Sequence, residues 1–123
     1  MAVFFLGCGV SFVVGRKFGI NPVNSLILYI WHTLFSLFYC WYVLNAGGDA
    51  VTYFKEGQSW SGEFGVGTAA IRAISGILVS GMGLSILGAF LFFNIFGQIG
   101  LLAFWGSLKQ ATIYKGWRVR LLA

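Results

Sequence analysis

Charge is what this chain lacks most: 9% of its 123 residues are charged, and the acidic ones number three, Asp49, Glu56 and Glu63. Ordinary soluble domains carry about 25% charged residues. With 59% hydrophobic residues there is too little polar surface here to cover a globule in water. Cysteine is scarce too. Cys8 and Cys40 lie inside apolar runs, with neither metal-ligand spacing nor a shared loop, and read as buried hydrophobes. The single proline, Pro22, stands just ahead of a long apolar run, where a missing N–H costs a helix little. No nucleophile elbow, phosphate-cradling loop or metal signature occurs, and Gly65-x-Gly67 is only a loop. Nothing sets the separation of Glu56 and Glu63, so a glycosidase pair cannot be argued.

The net charge of +5 does not point to nucleic acid, because the basic residues form no groove-sized patch interleaved with aromatics. They follow apolar runs instead. Arg16 and Lys17 come after the first run, and Lys109, Lys115, Arg118 and Arg120 after the last, as the positive-inside rule describes. Contact with anionic headgroups is a weaker corollary.

What is abundant is apolar length. Residues 24–45 carry no formal charge apart from what His32 holds, and as a helix rising about 1.5 Å per residue they cross the roughly 30 Å hydrocarbon core of a bilayer. Tyr29, Trp31, Tyr39, Trp41 and Tyr42 lie along this helix and toward its end, as membrane-interface aromatics do. The 18 glycines suit membrane helices, which approach closely through small residues.

The chain reads in order as helix 2–15, helix 23–46, external loop 47–67, half-helix 68–80, helix 84–108 and a basic cytoplasmic tail 109–123, all in one membrane domain. The first helix would be only about 22 Å long, short for a full crossing. A signal peptide is a poor reading of it, since no positive region precedes the apolar stretch and no small-x-small cleavage site follows. Residues 68–108 would make one helix of about 60 Å, twice what a bilayer needs, so the run has to break. The glycines of Ser80-Gly81-Met82-Gly83 mark the place. A full crossing by 68–79 would put the basic tail outside. A re-entrant or interfacial half-helix returns it to the side of Arg16 and Lys17, and non-helical backbone at that depth needs protein neighbours. The expected fold class is thus an all-α integral membrane protein of three transmembrane helices and one short half-helix, with an external N-terminus in a bacterial inner membrane.

His32 is the titratable residue deep in an apolar helix. A neutral imidazole there would ligate a haem or chlorophyll metal, line a substrate path, or bond a neighbouring carbonyl or hydroxyl. Position 28 is Leu, so the small residue four before the histidine of light-harvesting helices is absent. Asp49 and Arg72 fall on the expected external side with Lys55, Glu56 and Glu63, either paired and hydrated or forming a small site for an anionic headgroup or sugar phosphate. Gly76, Ser80, Asn94 and Gln98 are the expected helix-packing residues, with Asn94 and Gln98 four apart on one face.

The segments 32–39 (HTLFSLFY), 48–54 (GDAVTYF), 67–78 (GTAAIRAISGIL), 83–90 (GLSILGAF) and 100–105 (GLLAFW) resemble the N-terminal part of bacterial membrane proteins related to exopolysaccharide and O-antigen polymerases. The resemblance covers most of the chain. It implies a site for lipid-linked sugar at Asp49, Tyr53 and Arg72. Such polymerases carry many more spans, and this chain stops after its basic segment, so it resembles a truncated relative. Two expectations follow. One is a non-catalytic accessory subunit, with no cofactor beyond lipid or a pigment or haem contact at His32, packing against other integral membrane proteins in a larger assembly such as a photosynthetic or respiratory one. The other is part of a polymerase acting on lipid-linked sugars.

Overall fold

A computed structural model describes residues 2–121, with side chains through Thr112. Among the described residues every regular element is helical: α1 (Ala2–Lys17), α2 (Pro22–Ala46), α3 (Asp49–Gln58), α4 (Thr68–Gly76), continued by a π-helical turn (Ile77–Gly81), and α5 (Ile86–Leu121). Two helices are long and apolar enough to cross a membrane, Pro22–Ala46 and Ile86–Thr112 within α5. Within the chain 22% and 33% of their most apolar windows are buried, so most of their apolar surface is left uncovered by the chain itself.

Local chemistry explains the boundaries. α1 ends where Gly19 adopts a left-handed conformation (φ 65°) and the Ile20 N–H reaches back to the Gly15 carbonyl at 2.9 Å. α2 starts two residues later: Asn21 Oδ1 accepts from the Val23 N–H at 2.9 Å, and Pro22 occupies the first helical position. The break expected near Ser80–Gly83 takes the same form. Gly83 (φ 64°) turns the chain and the Leu84 N–H returns to the Leu78 carbonyl at 3.0 Å. Ser85 then caps α5, its Oγ accepting from the Gly88 N–H at 3.3 Å.

The chain divides into two compact units, residues 1–32 with 94–123, and residues 33–93. In the first, α1 lies on α2 through glycines. Gly7 carries the buried Tyr29 ring on its Cα, and Gly15 faces the Ser25 side chain. The Tyr29 hydroxyl donates to the Phe4 carbonyl at 3.3 Å, and the two rings lie 5.6 Å apart. Gln98 of α5 joins them: its Nε2 donates to Ser11 Oγ at 2.9 Å and to the Ser25 carbonyl at 3.3 Å, while Ser11 Oγ–H donates to that carbonyl at 2.9 Å. In the second unit, α3 crosses α4 at small residues. Gly57 faces the Ser75–Gly76 backbone, Gly76 faces the Trp60 ring, and Ser80 Oγ donates to the Gly57 carbonyl at 2.7 Å.

Three boundaries differ from expectation. The loop 47–67 contains a helix, α3, because Ala50, Tyr53, Phe54 and Gly57 repeat at helical spacing and are buried or half-buried, while Thr52 and Lys55 face outward. Its polar face hides that pattern from a hydropathy reading. The helix expected to end at 108 does not end there: α5 runs to Leu121, since neither proline nor a cap interrupts it, and Ser107 and Thr112 hydroxyls bond carbonyls one turn back. The side chains of Lys115, Arg118 and Arg120 lie outside the described residues. Finally, α1 is 16 residues long, about 24 Å, and it does not reach the length of the two spanning-class helices.

Candidate functional site

Some of the polar side chains of residues 33–93, Tyr39, Asp49, Tyr53 and Ser75, line a cavity of about 380 Å³. α3 supplies Asp49 and Tyr53, α4 supplies Ile71 and Ser75, α2 supplies Tyr39, and α5 closes it with Phe90 and Phe93. Each helix contributes for a local reason. Asp49 opens α3, where a carboxylate complements the positive end of the helix dipole. Tyr53 follows one turn later on the same face. Tyr39 is held by its ring contact with Phe90, centroids 6.0 Å apart. The result is a small, mostly apolar chamber with one carboxylate, two phenols and a hydroxyl.

Arg72 does not line that chamber. Its Nε meets Glu56 Oε2 at 2.6 Å across the α3–α4 crossing, with the two side chains 50% and 38% exposed. The paired alternative for these charges therefore describes the structure, with Glu56 and not Asp49 as the partner. At this exposure the pair is largely screened. Arg72→Ala is expected to lower stability by under about 1 kcal/mol, measured by thermal unfolding in detergent, and a drop of several times that would mean the guanidinium holds more than Glu56.

His32 belongs to the other unit. Its ring is half-buried against Gly97 of α5, where a Cβ would stand 2.7 Å from Cε1, and Nδ1 has no hydrogen-bond partner among the described residues. The four expected site residues thus fall in two units: Asp49 and Tyr53 line one cavity, Arg72 pairs with Glu56 in the same unit, and His32 belongs to the other. Among the described residues no group of three or more His, Cys, Asp or Glu side chains converges as a metal site would require. Of the expected packing residues, Gly76, Ser80 and Gln98 are engaged within the chain itself, and Asn94 is buried. From sequence Tyr39 reads as a membrane-interface aromatic, and Ser75 carries no signal of a site. The Gly-x-x-x-x-Tyr spacing that places Tyr53 is visible there, but the residues facing it come from three other helices.

No family model, curated protein or solved structure matches the chain. The polymerase resemblance rests on its own motifs.

Proposed function

We propose that this chain is a small, non-catalytic integral membrane subunit that packs against a larger membrane protein complex. The observation that supports it best is the broad apolar surface that the chain leaves uncovered on α2, where Ile27, Leu34, Phe38, Trp41 and Leu44 are 54–62% exposed. An exposed apolar surface of this extent is one that lipid or a partner protein covers. In this reading α1, α2 and α5 cross the bilayer, 68–81 re-enters from the outer side, and the basic ends face the cytoplasm, as the positive-inside rule favours. The short α1 and the broken backbone after Gly81 gain from protein cover at membrane depth.

The test is extraction of the native membrane in mild detergent, with particle mass and visible absorption recorded on one size-separated fraction. Migration far above the mass of one detergent-bound copy supports the subunit, and a pigment or haem band in that fraction would implicate His32. A small colourless particle overturns it.

A second reading draws on the chamber around Asp49 and Tyr53: part of a polymerase that holds a lipid-linked sugar, the aromatic walls against the lipid and the polar groups against the sugar. The two readings separate on one variant. As a subunit, Asp49→Asn keeps its place in the large particle and changes nothing else measurable. As part of a polymerase, the same variant inserts normally and abolishes polymer formation.

A further inference from the structure

A second cavity, of about 850 Å³, lies in the unit formed by residues 1–32 and 94–123 and serves neither reading above. It is a groove between the α1–α2 turn, the first turns of α2 and residues 101–112 of α5. Its lining is mostly apolar, with Leu28 from α2 and Leu101, Trp105 and Leu108 from α5, and carries the polar side chains of Asn21, Asn24, Lys109 and Thr112. Phe18 seats its ring on Gly106, where a Cβ would stand 2.7 Å from the ring, and Lys109 Nζ donates to the Gly19 carbonyl at 2.9 Å. These contacts tie the turn to α5 and hold the ammonium over the groove.

We propose that this groove binds an anionic phospholipid, one acyl chain lying on the Leu28–Leu101–Trp105–Leu108 lining and the phosphate meeting Lys109. The proposal rests on the membrane reading. A lysine ammonium has three donors, and one goes to Gly19, which leaves two for phosphate oxygens. Asn21 spends Oδ1 on the Val23 N–H and keeps its amide donors. Charge selects the headgroup. Residues 1–32 and 94–123 hold Arg16, Lys17, Lys109, Lys115, Arg118 and Arg120 and no acidic residue, all three acids falling in 33–93. A choline headgroup would bring a second cation into this field, whereas a net negative lipid is attracted by it. The apolar lining selects a lipid over a free anion, since phosphate alone gains nothing from burying three leucine-lined turns. A volume of this size lies inside the range of about 300–1,000 Å³ that holds small ligands, room for one chain and its phosphate.

The experiment is native mass spectrometry of the detergent-extracted full chain, titrated with dioleoyl phosphatidylglycerol or dioleoyl phosphatidylcholine. Phosphatidylglycerol is expected to be retained preferentially. Lys109→Gln should weaken it about fivefold, the worth of one cation near an anionic headgroup. Lys109→Arg should restore it, and Lys55→Gln in the other unit should leave it unchanged. Equal retention of the two lipids, or no response to Lys109→Gln, overturns the proposal. Displacement by glycerol phosphate alone would assign the site to the headgroup without the chain, and would overturn it also. If Lys109→Gln fails to fold, the wild-type preference and the Lys109→Arg variant still decide. A carbonate wash separates the two levels: loss from the membrane sinks the membrane reading, while retention without lipid preference sinks only this site.

Discussion

Gly7→Val is expected to detach α1 from α2, at a cost of about 3 kcal/mol, the upper part of the range for overpacking a tight contact. The Cβ it adds would overlap the Tyr29 hydroxyl and the ring carbon bearing it. Tyr29 has nowhere to retreat: it is 0% exposed, bonded to the Phe4 carbonyl, and set against the Phe4 ring. Moving it gives up the hydrogen bond and the ring contact together. In a bilayer no hydrophobic force presses helices together, so close packing carries most of the association and its loss is felt in full. A change of 3 kcal/mol is about two orders of magnitude in the docked population. It would appear as a lower unfolding temperature in detergent and as faster proteolysis in the 18–21 turn. Gly9→Val is the control, because a Cβ there meets nothing within 4 Å. The double variant Gly7→Val with Tyr29→Ala removes the overlapping ring and should cost less than the sum of the two single variants. Additive losses, or equal damage from Gly9→Val, would mean α1 is held some other way.

That contact was hidden in the sequence, and the reason is general to this chain. Its helices announce themselves through length and apolarity, so α2 is legible almost to the residue, helped by Asn21 and Pro22. The reversal at Gly83 is legible too, since glycine is where a helix can turn left-handed. α3 was not legible, because a short helix with one polar face lowers mean hydropathy to that of a loop, although Ala50, Tyr53, Phe54 and Gly57 keep the helical period. The continuation of α5 past Lys109 was missed because a basic cluster marks a change of surroundings, not a change of backbone. Pairings were the least accessible. That Gln98 would bond Ser11 and Ser25, or that Glu56 rather than Asp49 would take Arg72, depends on how helices rotate against one another. Nearly uniform apolar helices leave that rotation unspecified.

Small residues set the rotation, and the α3–α4 crossing shows which of them matter most. Gly57 and Gly76 both lack space for a side chain, yet their surroundings differ in what can yield. A Cβ on Gly76 would stand 2.5 Å from the Trp60 ring, which belongs to a partly exposed side chain at the end of α3. A Cβ on Gly57 would stand 3.0 Å from the backbone carbon and oxygen of Ser75. The ring can swing, at the cost of its Nε1–H bond to the Glu63 carbonyl (3.0 Å) and its edge contact with Phe64, and Trp60 Cβ, 2.7 Å from the same point, has to shift with backbone that no helix holds. The Ser75 backbone sits in a helix and cannot move alone. Gly57→Leu is therefore expected to push α3 off α4 and to break the Ser80 Oγ bond to the Gly57 carbonyl, costing about 3 kcal/mol, with Gly76→Ala costing about 1 kcal/mol. The two are compared by thermal unfolding in one detergent. Because α3 and α4 both wall the chamber around Asp49 and Tyr53, Gly57→Leu should also open it, seen as faster labelling by a soluble maleimide of a cysteine placed at the buried lining residue Ala89 (Ala89→Cys). Equal losses from the two variants would mean that the helices slide apart more freely than a backbone-on-glycine contact allows.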